Sequence, residues 1–154
     1  MSNMQGKTIF ITGGSRGIGR AIALKAAQAG ANVVIAAKTE VETAKLTGTI
    51  YSVAEEIDAA GGKALPILLD VRDEQQIHAA MQQAARNFGG IDVLINNAGA
   101  IALTGVEATS LKQYDLIQTI NHRATFICAQ AALPSLPLAH HPRTFLAARM
   151  ADHP

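Results

Sequence analysis

The sequence predicts an α/β fold, a doubly wound parallel sheet of about four strands in the order 3-2-1-4 with helices on both faces. Three observations predict it. Short, continuous apolar runs alternate with amphipathic helical stretches along most of the chain, the pattern of parallel strands covered on both sides. The first apolar run passes directly into the glycine-rich turn Thr12-Gly13-Gly14-Ser15-Arg16-Gly17-Ile18-Gly19 and then an Ala-rich helix. The fourth ends in Asn96-Asn97-Ala98-Gly99. Right-handed crossovers bring both loops to the carboxyl ends of the strands, where such sheets form their ligand crevice.

Each element has its own signal. Thr8 to Thr12 is β-branched and aromatic, and Ile18, Ala21, Ile22, Lys25, Ala26 and Ala29 then recur at helical spacing until Gly30 ends the helix. Val33 to Ile35 forms the second strand, and Ser52-x-x-Glu55 reads as a capping box for a helix carrying Val53 and Ile57, stopped by Gly61-Gly62. Ala64 to Leu69 is the third strand. Asp73-x-x-Gln76 opens a helix with Ile77, Ala80, Met81, Ala84, Ala85 and Phe88 on its apolar face, stopped by Gly89-Gly90. Ile91 to Ile95 is the fourth strand, and Ser110-x-x-Gln113 caps a long helix reaching about Leu133.

The bulk properties fit one domain of 154 residues, 49% hydrophobic. Thirteen basic and twelve acidic residues leave a net charge of +1, spread without a basic face. That points away from nucleic acid and toward a small-molecule partner. Cys128, the single cysteine, lies in an apolar helical pattern and reads as core in a reducing compartment. The segment MSNMQGK and the short TIFIT run after it match neither a signal peptide nor a membrane span, so the expected location is cytoplasmic.

From Pro134 the character changes. The segment 134–154 holds four of the five prolines and three of the five histidines. Proline removes ladder donors, so this tail is expected to be irregular, with a helical turn or two over Phe145 to Ala151 and no fifth strand. Strand four then becomes an apolar edge open to self-association. His140, His141 and His153 lack a partner ligand or a fixed frame, and no metal site is expected. Residues 1–133 thus form a partial dinucleotide-binding domain and 134–154 a Pro/His-rich tail.

A glycine turn between a strand and a helix suits phosphate, because backbone N–H groups and the positive end of the helix dipole converge there. A Walker loop is excluded, since Arg20-Ala21 follow Gly19 where Lys and Ser/Thr are needed. The spacing Gly13-x-x-x-Gly17-x-Gly19 after Thr12, with Asn96-Asn97-Ala98-Gly99 after the fourth strand, resembles the short-chain dehydrogenase/reductase family and its Rossmann-type sheet. The resemblance runs from about Lys7 to Leu133. The segment after the second strand looks like the hydroxysteroid-dehydrogenase-like branch, with roughly a dozen residues leading to the next helix and expected over the adenosine end.

The resemblance implies that Gly13, Ser15, Arg16, Gly17, Ile18 and Gly19 hold the pyrophosphate and that Asn97, Ala98 and Gly99 line the riboses. Asp70 and Val71 would meet the adenine, although a carboxylate at Asp70 also suits the N-terminus of the helix beyond it. A carboxylate at the end of strand two selects NAD. Ala36-Ala37-Lys38-Thr39 stands there instead, and Lys38 with Arg16 offers two cations to a 2′-phosphate, which favours NADP(H) over NAD(H).

Asn121, on or beside the apolar stripe of Leu111, Tyr114, Ile117, Ile120 and Ala124, matches the asparagine of the family's catalytic tetrad, whose main chain holds a relay water. The other members are missing. Hydride transfer to a carbonyl needs a proton donor, for which the family uses a tyrosine with a lysine four residues on and an upstream serine. Tyr51 and Tyr114 are the two tyrosines, and Glu55 and Gln118 occupy those lysine positions. Ser135 precedes the place of the family serine. The expected function is NADP(H)-dependent alcohol/carbonyl oxidoreduction on a small molecule if the fold were completed, incomplete and inactive as written. The alternative is a non-catalytic nucleotide-binding fragment or a defective product of a reading-frame shift or alternative terminus near Pro134.

Overall fold

The computed structural model describes residues 4–41, 48–136 and the backbone of 143–146. In chain order the strands and helices are β1 (Thr8–Thr12), α1 (Gly17–Gln28), β2 (Asn32–Ala37), α2 (Ile50–Ala59), β3 (Lys63–Leu68), α3 (Glu74–Phe88), β4 (Val93–Asn96), α4 (Leu111–Gln118), α5 (Ala124–Ala132) and β5 (Arg143–Leu146). All strand pairs are parallel, and the sheet order is β3-β2-β1-β4-β5. The expected order 3-2-1-4 is present, extended by one strand.

Alternation along the strands divides the core into two layers. Phe10, Val34, Leu94 and Ile67 face α3 and α5, packing with Ile77, Met81, Ile127 and Cys128. Ile9, Ile11, Val33, Ile35 and Ile95 face α1 and α2, packing with Ala23, Ala26, Ile50, Val53 and Ile57. Every residue of β1 is buried, as a central strand between two layers requires. β3 is an edge, which is why Pro66 is tolerated there, opposite Ile35.

Helix starts follow the local chemistry with one shift. Asp73 caps α3 by accepting the N–H groups of Gln75 and Gln76 at 2.9 and 3.1 Å, and Ser110 caps α4 by accepting that of Gln113 at 3.2 Å. The capping box of α2 lies three residues earlier than expected. Thr49 is the cap, and Ser52 is its N3 partner, accepting the Thr49 N–H at 2.9 Å while donating its own N–H to Thr49 Oγ1 at 3.0 Å. The long helix after Ser110 has the expected extent, but it is interrupted by a π-turn over Thr119–Arg123. Nothing in α4 is buried, and Leu111 and Tyr114 are exposed. The packed face is that of α5, formed by Ala124, Ile127, Cys128, Ala131 and Ala132.

The tail departs from expectation. Leu133–Ser135 continues α5 as a 3₁₀ turn, with Pro134 near its start. The Ser135 carbonyl accepts the Ile91 N–H at 2.8 Å, and Leu136 packs on the core. Arg143–Leu146 then forms β5, paired with β4 from Val93↔Arg143 to Asn96↔Leu146. The sequence reading weighed proline over the whole segment. Pairing needs only the four residues after Pro142, which contain no proline and carry β-compatible Thr144 and Phe145. Phe145 and Leu146 are therefore strand and not helix, and residues 147–151 lie outside the described residues. β4 is interior after all, and β5 takes the edge position.

Burial decides the chemistry of Cys128. It is 1% exposed in the α5 layer, and loss of hydration pushes its thiol up to about 12. The native protein is expected to resist an aromatic disulfide reagent in mildly alkaline buffer and to release one thiol equivalent on denaturation. Fast reaction of the native protein would contradict this packing.

Candidate functional site

The carboxyl ends of β1 and β4 carry the two loops that the sequence singled out, and one hydroxyl joins them. Thr12 Oγ1 accepts the backbone N–H groups of Asn97 and Ala98, each at 3.0 Å, and its own proton is directed to the Ile95 carbonyl at 3.5 Å. Asn97 returns the connection. Its Nδ2 donates to the carbonyls of Thr12 and Gly13, both at 3.0 Å. The glycine turn and the Asn-Asn-Ala-Gly loop are thereby a single unit, cross-linked by five hydrogen bonds and contacts over one strand spacing.

Two glycines are required by this closeness. Gly13 has φ +68°, and a Cβ on it would lie 2.9 Å from the Ala98 Cα. A Cβ on Gly19 would lie 2.4 Å from the Gly13 carbonyl oxygen and 2.5 Å from Asn97 Nδ2. Any side chain at either position would push the two loops apart.

Around this unit, Ser15 is buried, Arg16 half-buried, and Gly17 and Ile18 exposed. Arg16 occupies the N-cap position of α1 with extended backbone but makes no side-chain cap, whereas Thr49, Asp73 and Ser110 cap α2, α3 and α4. The first-turn N–H groups of α1 are thus left without a side-chain acceptor, beside a turn of small residues. The Arg16 guanidinium reaches across to the end of β2 and donates to Thr39 Oγ1. Lys38, next to Thr39, is exposed. Cationic side chains therefore gather at the strand end where a carboxylate would select NAD.

Asp70 follows the end of β3 and is fixed by Arg72. Its carboxylate accepts the Arg72 backbone N–H at 3.0 Å and the guanidinium Nε at 2.9 Å, with a further short contact to Nη2. Its own N–H donates to Gln76 Oε1 at 3.0 Å. The N-cap of the helix that follows, α3, is Asp73. Val71 is buried beside it.

Asn121 stands in the π-turn, exposed and not in the core. Its side chain reads the Ala100 peptide from both sides: Oδ1 accepts the Ala100 N–H and Nδ2 donates to the Ala100 carbonyl, both at 2.8 Å. Its carbonyl accepts the Thr125 hydroxyl at 2.8 Å. The π-turn adds one residue to the helix, and this asparagine stands against the loop at Ala100, just past Gly99.

The geometry brings together Gly13 to Gly19, Asn97, Ala98 and Gly99 directly, and Lys38 through the Arg16–Thr39 contact. Asn121 joins through Ala100. Sequence reasoning left the partners of these residues unassigned: Thr12 as a cross-link, Thr39 on Arg16, and Arg72 on Asp70. The Asp-x-Arg spacing was the available signal for the last; nothing in the sequence marks Thr39 as facing Arg16.

Arg72 has a titration consequence. Its side-chain hydrogen bond holds the Asp70 carboxyl below the usual carboxylate range, against the opposing pull of partial burial, with further help from the charges of Arg72 and Lys38. A depressed folded pKa contributes stability above the unfolded value, lost as pH falls through the folded one. Both side chains are partly solvated, so the effect on stability is small. Carboxyl NMR is expected to show Asp70 titrating below ordinary aspartates, and Arg72→Ala should move it back up. An unshifted Asp70 in the variant would contradict the pairing.

Comparison with known proteins agrees with this geometry. The short chain dehydrogenase family model matches residues 7–142. Human hydroxysteroid dehydrogenase-like protein 2 is 59% identical over 133 residues, covering 86% of this chain and 32% of that protein. A Xanthomonas campestris protein solved as a candidate dehydrogenase superposes with a TM-score of 0.91 at 51% identity, covering 96% of this chain and 55% of the other. A short chain dehydrogenase from Burkholderia cenocepacia, solved in complex with NADP, gives a TM-score of 0.78 at 36% identity, covering 88% of this chain and 53% of that one. The chain spans about a third of the length of the curated relatives it matches and about half of the solved ones. Among the described residues no helix is long and apolar enough to cross a membrane.

Proposed function

The chain belongs to the short-chain dehydrogenase family, and on that premise we propose that it binds NADP(H) and lacks the proton-transfer half of the reaction. The observation that carries the reading is the locked glycine turn beside the uncapped N-terminus of α1. Backbone N–H groups there suit a pyrophosphate. A Cβ on Gly17 would meet nothing within 4 Å, so a ligand can approach that backbone closely.

Residues Gly13, Ser15, Arg16, Gly17, Ile18 and Gly19 would hold the pyrophosphate. Asn97, Ala98 and Gly99 would line the riboses, and Asp70 with Val71 the adenine. Arg16 and Lys38 support the choice of NADP(H): Arg16 is oriented to the end of β2, and no carboxylate stands in Ala36-Ala37-Lys38-Thr39 to accept ribose hydroxyls. Bound NADPH would supply a hydride for reduction of a carbonyl. What this chain's own residues do in that reaction is bind, orient and frame. Asn121 is the one tetrad position filled, its carbonyl presented from the π-turn.

Protonation of the developing alkoxide needs an acid held near neutrality. A tyrosine titrates at about 10 unless a neighbouring cation lowers it. Tyr51 and Tyr114 have Glu55 and Gln118 four residues on, and neither is part of the cradle. Within these 154 residues the chain is therefore a cofactor-binding half, and alcohol/carbonyl interconversion on a small molecule belongs to a completed fold.

Titration is expected to show NADPH bound about ten-fold or more tighter than NADH, the scale of a charge-assisted contact. Equal or reversed affinities would overturn the cofactor assignment. NADPH with a panel of ketones and aldehydes should give no turnover. Turnover abolished by Asn121→Ala would overturn the claim of a non-catalytic chain.

A further inference from the structure

The carboxylate of Asp70 is covered by one neighbour. Oδ1 accepts the backbone N–H of Arg72 at 3.0 Å and its Nε at 2.9 Å, while Oδ2 accepts the same Nε at 3.0 Å and makes the short contact with Nη2. An ionised carboxylate offers about four lone-pair sites, and it has no donor of its own. Arg72 alone therefore engages both oxygens from both sides.

The aim of Asp70 does not need the guanidinium. Its N–H donates to Gln76 Oε1 at 3.0 Å, its carbonyl accepts the Asp73 N–H at 3.0 Å, and the bond from the Arg72 backbone N–H to Oδ1 closes an Asx-turn that fixes the side chain. Gln76 is held in turn, its Nε2 donating to Asp73 Oδ2 at 3.1 Å. None of these bonds uses the Arg72 side chain. What that side chain adds is occupancy of Oδ2, the oxygen that the local bonds leave open. Among the described residues its hydrogen bonds go to Asp70 alone, and it is 48% exposed, so the pair is of the weakly held surface kind that a competing donor can displace.

We propose that Arg72 competes with the ligand for Asp70: a 6-aminopurine donates its exocyclic N–H to Oδ2 only by displacing the guanidinium, so this arginine lowers the preference of the site for the amino base. This rests on the reading of Asp70 as the adenine contact. It adds to that reading a residue that acts against the ligand. At neutral pH the carboxylate stays ionised without its cation, and removal of the guanidinium leaves an acceptor already oriented by the backbone.

The test uses the full chain and two nucleotides, NADPH and its hypoxanthine counterpart, which differ in a 6-amino donor against a 6-oxo acceptor. Arg72→Met keeps the apolar stem and removes the guanidinium. Its loss of charge acts on both nucleotides alike, so the quantity read is the ratio of their dissociation constants. Arg72→Met is expected to raise the preference for the amino base about two- to five-fold, the scale of an exposed ion pair. In the parent, saturating NADPH should move the Arg72 Nε–H resonance toward that of free arginine, and the hypoxanthine counterpart should leave it in place. Asp70→Asn, which can set an amide donor where Oδ2 stood, should turn the preference toward the 6-oxo base. An unchanged or lowered preference in Arg72→Met, or an Nε–H resonance unmoved by NADPH, would overturn the inference. Failure of the underlying reading is distinguishable: Asp70→Asn would then keep the parent's preference, or the parent would bind neither nucleotide, and either result removes the inference with it.

Discussion

The hydroxyl of Thr12 holds this site together. It sits at the end of the central strand, 2% exposed, where an unpaired polar group would be costly. Its two lone pairs take the N–H groups of Asn97 and Ala98, and both Nδ2 hydrogens of Asn97 come back to the carbonyls beside it. The close approach of the loops makes glycine necessary at positions 13 and 19, and Arg16 at the N-cap leaves the first turn of α1 without a side-chain cap. The linked loops thus follow from a sheet-level constraint: β1 and β4 are neighbours in the sheet, and their ends must be satisfied together.

Much of this was legible because the signals are local. A strand, a glycine turn and a helix are contiguous in sequence, and Asp73 and Ser110 announce their helices within three residues. The order of the first four strands follows from handedness and burial. The cap of α2 was displaced because Thr49-x-x-Ser52 and Ser52-x-x-Glu55 are both plausible boxes, and the bond from Ile50 to Thr39 fixes the earlier start. The π-turn was invisible, since one extra residue barely disturbs an apolar spacing that already includes exposed Leu111 and Tyr114. Cross-loop contacts such as Arg16 to Thr39 have no sequence period at all.

The tail shows how far a short segment can follow a preformed edge. β4 offers a row of unpaired backbone groups, and four proline-free residues suffice to occupy it. Sheet geometry and catalytic chemistry separate at this point. β5 continues the backbone pattern, while its Arg-Thr-Phe-Leu sequence supplies no serine, and neither tyrosine of the chain has the lysine partner that proton transfer needs. The proposed cofactor cradle lies at the ends of β1 and β4, within the first four strands and their loops.

The most direct measurement of this account is the NADPH dissociation constant of Thr12→Val beside Thr12→Ser, at a temperature where both are folded. The valine leaves two N–H groups without their acceptor, and the serine keeps it. The account predicts NADPH binding weakened about ten-fold or more by valine and within about three-fold of the parent for serine. Binding by Thr12→Val as tight as the parent's would show that the cradle does not depend on the hydroxyl and would contradict the central claim.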